Sequence, residues 1–324
     1  MDFWPDDQPI TRQPFKMERY MQRCFVLAGF LFVSIMAAAA NDADIPLLSI
    51  KGTSWTSDET TYIKALHQRG SITIATKVST AIYMPEADGS ISGFHYSVMK
   101  DFAGLLNISI NKKIVSWDEY FYKSGEDLAK IKADKSYTYT PSLLESVDLY
   151  VDGFTVLDWR EKMFDIIKFV PSRQMIVSRK GNKPNNIDDL NNKVFAMISN
   201  TSMKGHLEKI KADNQVTFTY LDVDSFDDMD RFVSEGKADF TVYDSDRAFV
   251  ALGNYENLTI VWPISDIQIM GWAVNKNNPV LKSILEKYMS YALEEAVLDK
   301  YWKLSYGVTF VEYLQVLGLG GLDN

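Results

Sequence analysis

The sequence predicts an α/β fold, and three observations carry that prediction. Short apolar runs with the two-residue alternation of strands, such as GSITIAT at 70–76, recur along the chain. Between them lie stretches with apolar residues at helical spacing, such as Phe226, Met229, Phe232 and Val233. The stretch 147–163, VDLYVDGFTVLDWREKM, joins the two patterns. An apolar run over 147–151 breaks at Asp152-Gly153, followed by Thr155, Asp158 as a helix N-cap and Arg160 in the first helical turn. A strand that ends at a glycine and hands over to a helix is where open α/β sheets bind ligands.

Arg160 has two readings. Its planar fork of donors fits a carboxylate better than the point charge of a lysine would. It is equally a surface arginine paired with Glu161 or Asp165, and spacing alone favours that pairing. Composition leaves the choice open. The chain has 324 residues, room for one large domain or two lobes with separate cores. Its 46% hydrophobic and 24% charged residues are ordinary for a globular protein, and the net charge of −9 argues against a nucleic-acid partner.

Residues 1–16 are polar and proline-bearing, and the translation start is open between Met1, Met17 and Met21. Arg19 and Arg23 then precede an apolar run over 24–36 that ends at Ala38-x-Ala40. This is the pattern of a secretory signal peptide cleaved after Ala40, giving a periplasmic chain; an uncleaved anchor is the alternative. Cys24, the only cysteine, lies inside this segment, so the mature chain has no thiol chemistry. His67, His95 and His206 are widely spaced, and neither a metal site nor a cofactor is expected.

The rest follows in order. Residues 41–60 read as a linker and 62–68 as a short helix. Strand 70–76 leads to a turn at Asp88-Gly89 and a helix over 96–106. A second strand is expected at 114–117, and a helix with an irregular insert over 123–139. Strands 164–169 and 174–178 follow, then a short helix from Asn186 and a strand over 194–198. Ser199-Asn200-Thr201-Ser202 is a polar loop before a helix. Its free N–H groups and the helix dipole suit a carboxylate, although a plain Ser/Thr N-cap explains it too. Strand 216–221, helix 226–234 and a buried-looking strand ending at Asp244 come next. A buried carboxylate there needs a cationic partner, unless it caps the next helix. Strands 258–262 and 269–274, helices 279–295 and 297–306, and a last packing segment over 307–317 complete the chain.

Several of these stretches resemble the bacterial extracellular solute-binding proteins of family 3, the polar amino-acid binders of ABC importers. Asp148, Gly153, Thr155 and Arg160 fall on that family's core motif. ADGSISGFHYSVMKDFAGLL, GKADFTVYD, IMGWAVNKNNPVLKSILEKYM and Tyr301-Trp302 resemble further blocks, and the likeness covers about 69–314. Asp152 and Leu157 depart from the core motif. Lys77 follows the first strand where an acidic or small residue is usual. Thr80 replaces a frequent aromatic, and Tyr83 supplies one at Pro85 instead.

The resemblance implies a two-lobed, type II periplasmic-binding-protein-like fold with two crossing hinge strands and a ligand cleft between the lobes. Lobe one is expected at 61–170 plus 265–324 and lobe two at 171–264. Arg160 and Thr155 would hold a ligand carboxylate, Asp244 its ammonium, with Thr201, Asn200, Gly153 and Tyr83 around them. Lys77 and Asp152 either pair with each other or mark a ligand other than a plain amino acid. The implied function is capture of a small polar solute by a monomer, for the membrane subunits of an ABC-type importer, with no chemistry of its own. The alternatives are a dehydratase-like enzyme on the same fold and a sensory or accessory ligand-binding domain; similar domains precede murein transglycosylase or kinase modules.

Overall fold

Alternating apolar and polar residues make strands with two faces, and here both faces of one sheet are buried. The computed structural model describes residues 45–126, 138–199 and 201–319. The expected signal segment, most of the expected 123–139 helix, and Asn200 lie outside them. In chain order the first half comprises α1 (Ser57–Arg69), β1 (Ser71–Thr76), a small hairpin of β2 (Met84–Pro85) and β3 (Ile91–Ser92), α2 (Phe94–Leu105), β4 (Ser109–Ile114), β5 (Leu149–Thr155), α3 (Asp158–Glu161) and β6 (Asp165–Ser172). Then come β7 (Gln174–Arg179), β8 (Lys193–Met197), α4 (Ser202–Asn214), β9 (Phe218–Asp222), α5 (Phe226–Ser234), β10 (Phe240–Asp244), α6 (Ser245–Asn254) and β11 (Leu258–Pro263). The chain continues through β12 (Gln268–Val274), α7 (Pro279–Glu294), α8 (Val297–Tyr306) and α9 (Phe310–Val316).

The strands form two five-stranded sheets, β4-β1-β5-β12-β6 and β11-β7-β10-β8-β9. In the first, β1 is parallel to β4 and β5, whereas β12 runs antiparallel to β5 and β6. In the second, β8 is parallel to β9 and β10, and β7 runs antiparallel to β10 and β11. Successive residues of β5 and β12 serve opposite cores. Leu149, Val151, Trp272 and Val274 join Phe94, Phe102, Tyr288 and Trp302 under the helices. Tyr150, Phe154 and Ala273 join Tyr120, Phe121 and Phe164 on the other face. The second sheet has its own core around Phe195, Met229 and Val242.

Pairing of β6 with β12 continues to Ser172, and β7 pairs with β10 from Gln174. The chain therefore crosses between sheets at Arg173 and returns between β11 and β12. A buried knot of hydrogen bonds ties this crossing. Ser245 shares its hydroxyl with that of Ser172 at 3.1 Å and that of Tyr313 at 2.7 Å, and the Tyr313 hydroxyl donates to the Pro171 carbonyl at 2.7 Å.

Four local expectations change. The Asp152-Gly153 break does not end the strand: β5 continues to Thr155, and its pairing with β12 shifts register between Gly271 and Ala273. Asp152 Oδ1 accepts the N–H of Gly153 at 2.7 Å, so the irregularity is absorbed locally. The strand expected at 114–117 is β4, ending at Ile114; SINKKI is a largely exposed edge strand and lacks the apolar alternation of a covered one. Asp158 is the first helical residue of α3 rather than its cap, and Leu157 at the cap position makes no side-chain bond. Within the expected linker, Ile45, Leu47 and Ile50 are buried, and α1 begins at Ser57 behind a capping box of Thr56 and Glu59.

Gly271 marks the tightest approach in the first sheet. A Cβ there would lie 1.7 Å from the Ile167 carbonyl oxygen, whereas one on Gly104, exposed in α2, would meet nothing within 4 Å. Gly271→Ala is expected to destabilise the chain by about 3 kcal/mol, and Gly104→Ala to be neutral or to stabilise by up to about 1 kcal/mol. Urea denaturation of the two variants checks this; equal midpoints would mean that β12 moves away from β6 freely.

Candidate functional site

A cavity of about 410 Å³ opens between the two lobes. The first lobe contributes the end of β1, the segment 114–117 and the β5–α3 connection; the second contributes the start of α4, the turn before α5 and the end of β10.

Arg160 is the innermost cation on this lining. It is 2% exposed, and its Nη1 donates to the Thr155 carbonyl at 3.0 Å. The guanidinium carbon lies 5.3, 5.6 and 5.2 Å from the ring centroids of Trp117, Phe121 and Trp159. The flat faces orient the cation without neutralising it. The surface-pair reading is thereby excluded: Glu161 pairs with Lys168 at 2.9 Å, and Asp165 faces Lys276 and Lys282. Burial pulls the Arg160 pKa down to about 10, opposed by the charges of Asp244 and Asp152. It stays protonated at neutral pH, and its Nε has no hydrogen-bond partner among the described residues.

Asp244 ends β10 on the opposite lobe. It occupies the N-cap position of α6 but makes no capping bond, and its Oδ1 is shielded from solvent without a partner among the described residues. Burial, with Asp246 adding, pushes its pKa up to about 7; Arg160, the Gln174 amide and Lys77 pull the other way. Gln174 is fully buried and braced at both ends. Its Nε2 donates to Ser202 Oγ at 2.9 Å, and His206 Nδ1 contacts its Oε1 at 2.7 Å.

Thr155 and Gly153 line the same cavity from β5. A Cβ on Gly153 would meet His95 Nε2 at 3.7 Å, an ordinary contact, so neither strain nor crowding requires glycine there. His95 is buried and neutral: burial and Lys77 pull its pKa down to about 3, and its Nδ1 accepts from Trp272 Nε1 at 3.0 Å. Thr201 also lines the cavity and is the N-cap of α4, its hydroxyl donating to the Ile198 carbonyl at 3.1 Å and accepting from the Lys204 N–H. Asn200 lies outside the described residues.

Lys77 reaches over the cavity from the end of β1. Its Nζ is 3.6 Å from Asp152 Oδ2, so these two residues face each other, and Asp152 stands behind the lining rather than on it. Tyr83 does not belong to the lining. It is buried in the core, edge-on to the Tyr96 ring at 5.0 Å. Sequence reasoning missed Trp117, Phe226 and Gln174 as parts of the site. Trp159, next to Arg160 in the chain, was a usable signal; Trp117 and Phe121 lie far upstream and are brought to it only by the fold. Among the described residues, no cluster of His, Cys, Asp or Glu has metal-binding geometry, and no helix is long and apolar enough to cross a membrane.

With this geometry in hand, the chain can be set beside known proteins. No family model matches it. It is 23% identical over 266 residues to membrane-bound lytic murein transglycosylase F of Ectopseudomonas mendocina, covering 78% of this chain and 51% of that protein. The protein of the same name in Saccharophagus degradans is 24% identical over 252 residues, with coverages of 76% and 46%. The chain thus spans about half the length of the curated relatives it matches.

Among solved structures, a mutant of ArgBP from T. maritima superposes with a TM-score of 0.58 at 19% identity, covering 76% of this chain and 99% of that one. The ancestral amino acid-binding protein AncCDT-1, described as a precursor of cyclohexadienyl dehydratase, gives 0.60 at 18%, with coverages of 76% and 99%. AbpA of Streptococcus pneumoniae, an amino acid ABC transporter substrate-binding protein bound to L-arginine, gives 0.60 at 17%, with coverages of 75% and 98%. The fold is that of the two-lobed amino-acid-binding proteins of the family 3 type. One expectation is corrected here. The relatives are named as enzymes, so the expectation of a chain without chemistry does not stand.

The raised pKa of Asp244 has a consequence for the ligand-free chain. Between the ordinary carboxylate range and pH ~7 the folded chain holds a proton that the unfolded chain has released. Its contribution to stability is therefore full at low pH and is lost as pH rises through about 7. Asp246, pushed up to about 6 mainly by burial, adds to the same slope. Asp244→Asn is expected to flatten this fall and, at about pH 8, to be more stable than the parent by about 1 kcal/mol or more. Urea titrations at about pH 5 and 8 check it; a parent–variant difference that does not change with pH would assign the slope to other groups.

Proposed function

We propose that the cleft captures an amino-acid-like zwitterion and that the lobes close over it about the hinge. The observation that carries this reading is the pair of unsatisfied, solvent-shielded groups on opposite lobes, Arg160 Nε and Asp244 Oδ1. A ligand carboxylate answers the first and a ligand ammonium the second. A buried group left without its partner is strongly unfavourable, so each wall favours one end of the zwitterion. Thr155, Gly153 and Thr201 border the space in which the carboxylate would lie. The solved neighbours described as bound to arginine or as amino-acid-binding support the reading.

Two settings suit such a module. As a periplasmic monomer it would deliver its solute to ABC-type membrane subunits. As a ligand-sensing module it would govern cleavage of the cell wall by a lytic murein transglycosylase, and the names of the curated relatives favour this setting. Murein digestion with and without the captured solute separates the two: an effect of solute on digestion supports the second, and its absence supports delivery.

Calorimetry against the common amino acids tests the capture itself. Arg160→Ala is expected to lose roughly 3 kcal/mol or more of binding free energy while the fold persists, with Arg160→Lys recovering part of it. Asp244→Asn is expected to weaken amino-acid binding by about 2 kcal/mol and to spare the matching acid that lacks the amino group. Unchanged affinity in Arg160→Ala sinks the reading.

A further inference from the structure

The cleft contains a second cation that the carboxylate and ammonium seats do not use, although it shares the Trp117 ring with Arg160. Lys77 Nζ lies 4.7 Å from the centroid of Trp117, on the first lobe, and 5.0 Å from that of Phe226, on the second. Behind it stands Asp152, 2% exposed, at 3.6 Å. Two aromatic faces backed by a buried carboxylate are the chemistry of a cation seat. The protein fills that seat with its own lysine.

Resting on the zwitterion reading above, we infer that Lys77 is a specificity residue: it closes the cleft to cationic side chains and selects a zwitterion whose side chain ends in a carboxylate, an acidic amino acid. A cationic side chain would have to expel Lys77 from both rings and from Asp152, bringing like charges together. A neutral apolar side chain would strip water from the ammonium and offer it no acceptor. The 3.6 Å separation from Asp152 balances charge without making a hydrogen bond, and Lys77 hydrogen-bonds to no described residue. Its side chain is 18% exposed and lines the cavity. A ligand carboxylate satisfies its ammonium donors and takes part in the same charge balance. Of the other acids on the lining, Asp227 lies 3.5 Å from Arg247 and is 74% exposed, and Asp224 is exposed as well.

Titration calorimetry on the full chain with L-glutamate, L-glutamine and L-arginine tests the inference. The parent is expected to bind glutamate about ten-fold or more tighter than glutamine and to give no measurable arginine binding. In Lys77→Ala the glutamate-to-glutamine ratio should fall to about one, and arginine should now bind, its guanidinium replacing the missing ammonium against Asp152. The double variant Lys77→Ala with Asp152→Asn should lose that arginine binding. It carries no orphaned buried carboxylate, so it still reports the glutamate-to-glutamine ratio if the single variant fails to fold. Arginine binding to the parent as tightly as glutamate, an unchanged ratio in the Lys77 variants, or no arginine binding by a folded Lys77→Ala each overturns the inference. Arg160-dependent amino-acid binding without acid preference overturns this inference alone. No binding of any zwitterion overturns the proposed function with it.

Discussion

The structure depends on a cation held out of water without a full set of partners. Arg160 is 2% exposed, with one hydrogen bond to the Thr155 carbonyl and three aromatic rings about its plane. An isolated charge in such a place is strongly unfavourable unless other groups answer it. The fold supplies part of the answer through the field of Asp244, which reaches Arg160 from the other lobe. Once Asp244 ionises, as pH rises through about 7, two groups with opposite sign and incomplete coordination face each other across a gap wide enough for a small molecule.

Rigid elements hold the first of them. β5 lies in the middle of its sheet, and the core beneath it packs Tyr120 on Phe154, Tyr150 on Phe164 and Phe154 on Phe164 edge to face. The cage of Arg160 grows out of this aromatic core: Phe121 belongs to it, and Trp117 and Trp159 pack against it. The same Trp117 carries Lys77 on its ring, so the two cations of the first lobe share one aromatic support. A change at Trp117 would therefore disturb both ends of the cleft together.

Much of the fold was legible because periodicity reports burial. The strand at 71–76, the helix at 226–234 and the C-terminal helices each have the spacing that their cores demand. The edge strand β4 escaped because five of its six residues are exposed, so no apolar pattern was required of it. The start of α1 escaped although Thr56 and Glu59 spell a capping box, a signal of polar residues easily overlooked beside apolar runs. In the site, Arg160 and Asp244 were legible from motif order. The Lys77–Asp152 contact was open as one of two readings, since it joins residues from β1 and β5 that only sheet pairing brings together. Tyr83 was misassigned because an aromatic shortly before a proline looks alike whether it faces a ligand or Tyr96. The relatives' enzymatic names had no counterpart in any acid–base constellation visible in the sequence.

The knot at the crossing decides how the two walls can move. Ser245, fixed by Ser172 and Tyr313, is the residue next to Asp244. In a rotation about a tethered point, displacement grows with distance from the tether. In the proposed closure Asp244 would therefore stay near its place relative to the first lobe, while the start of α5 with Phe226 would swing through the larger arc. On the proposed reading, the electrostatic offer to an ammonium would exist before the lobes meet, and the aromatic contact with the far end of a guest would be made last. A cleft closing in this way would read charge on arrival and shape on departure from solvent, in that order.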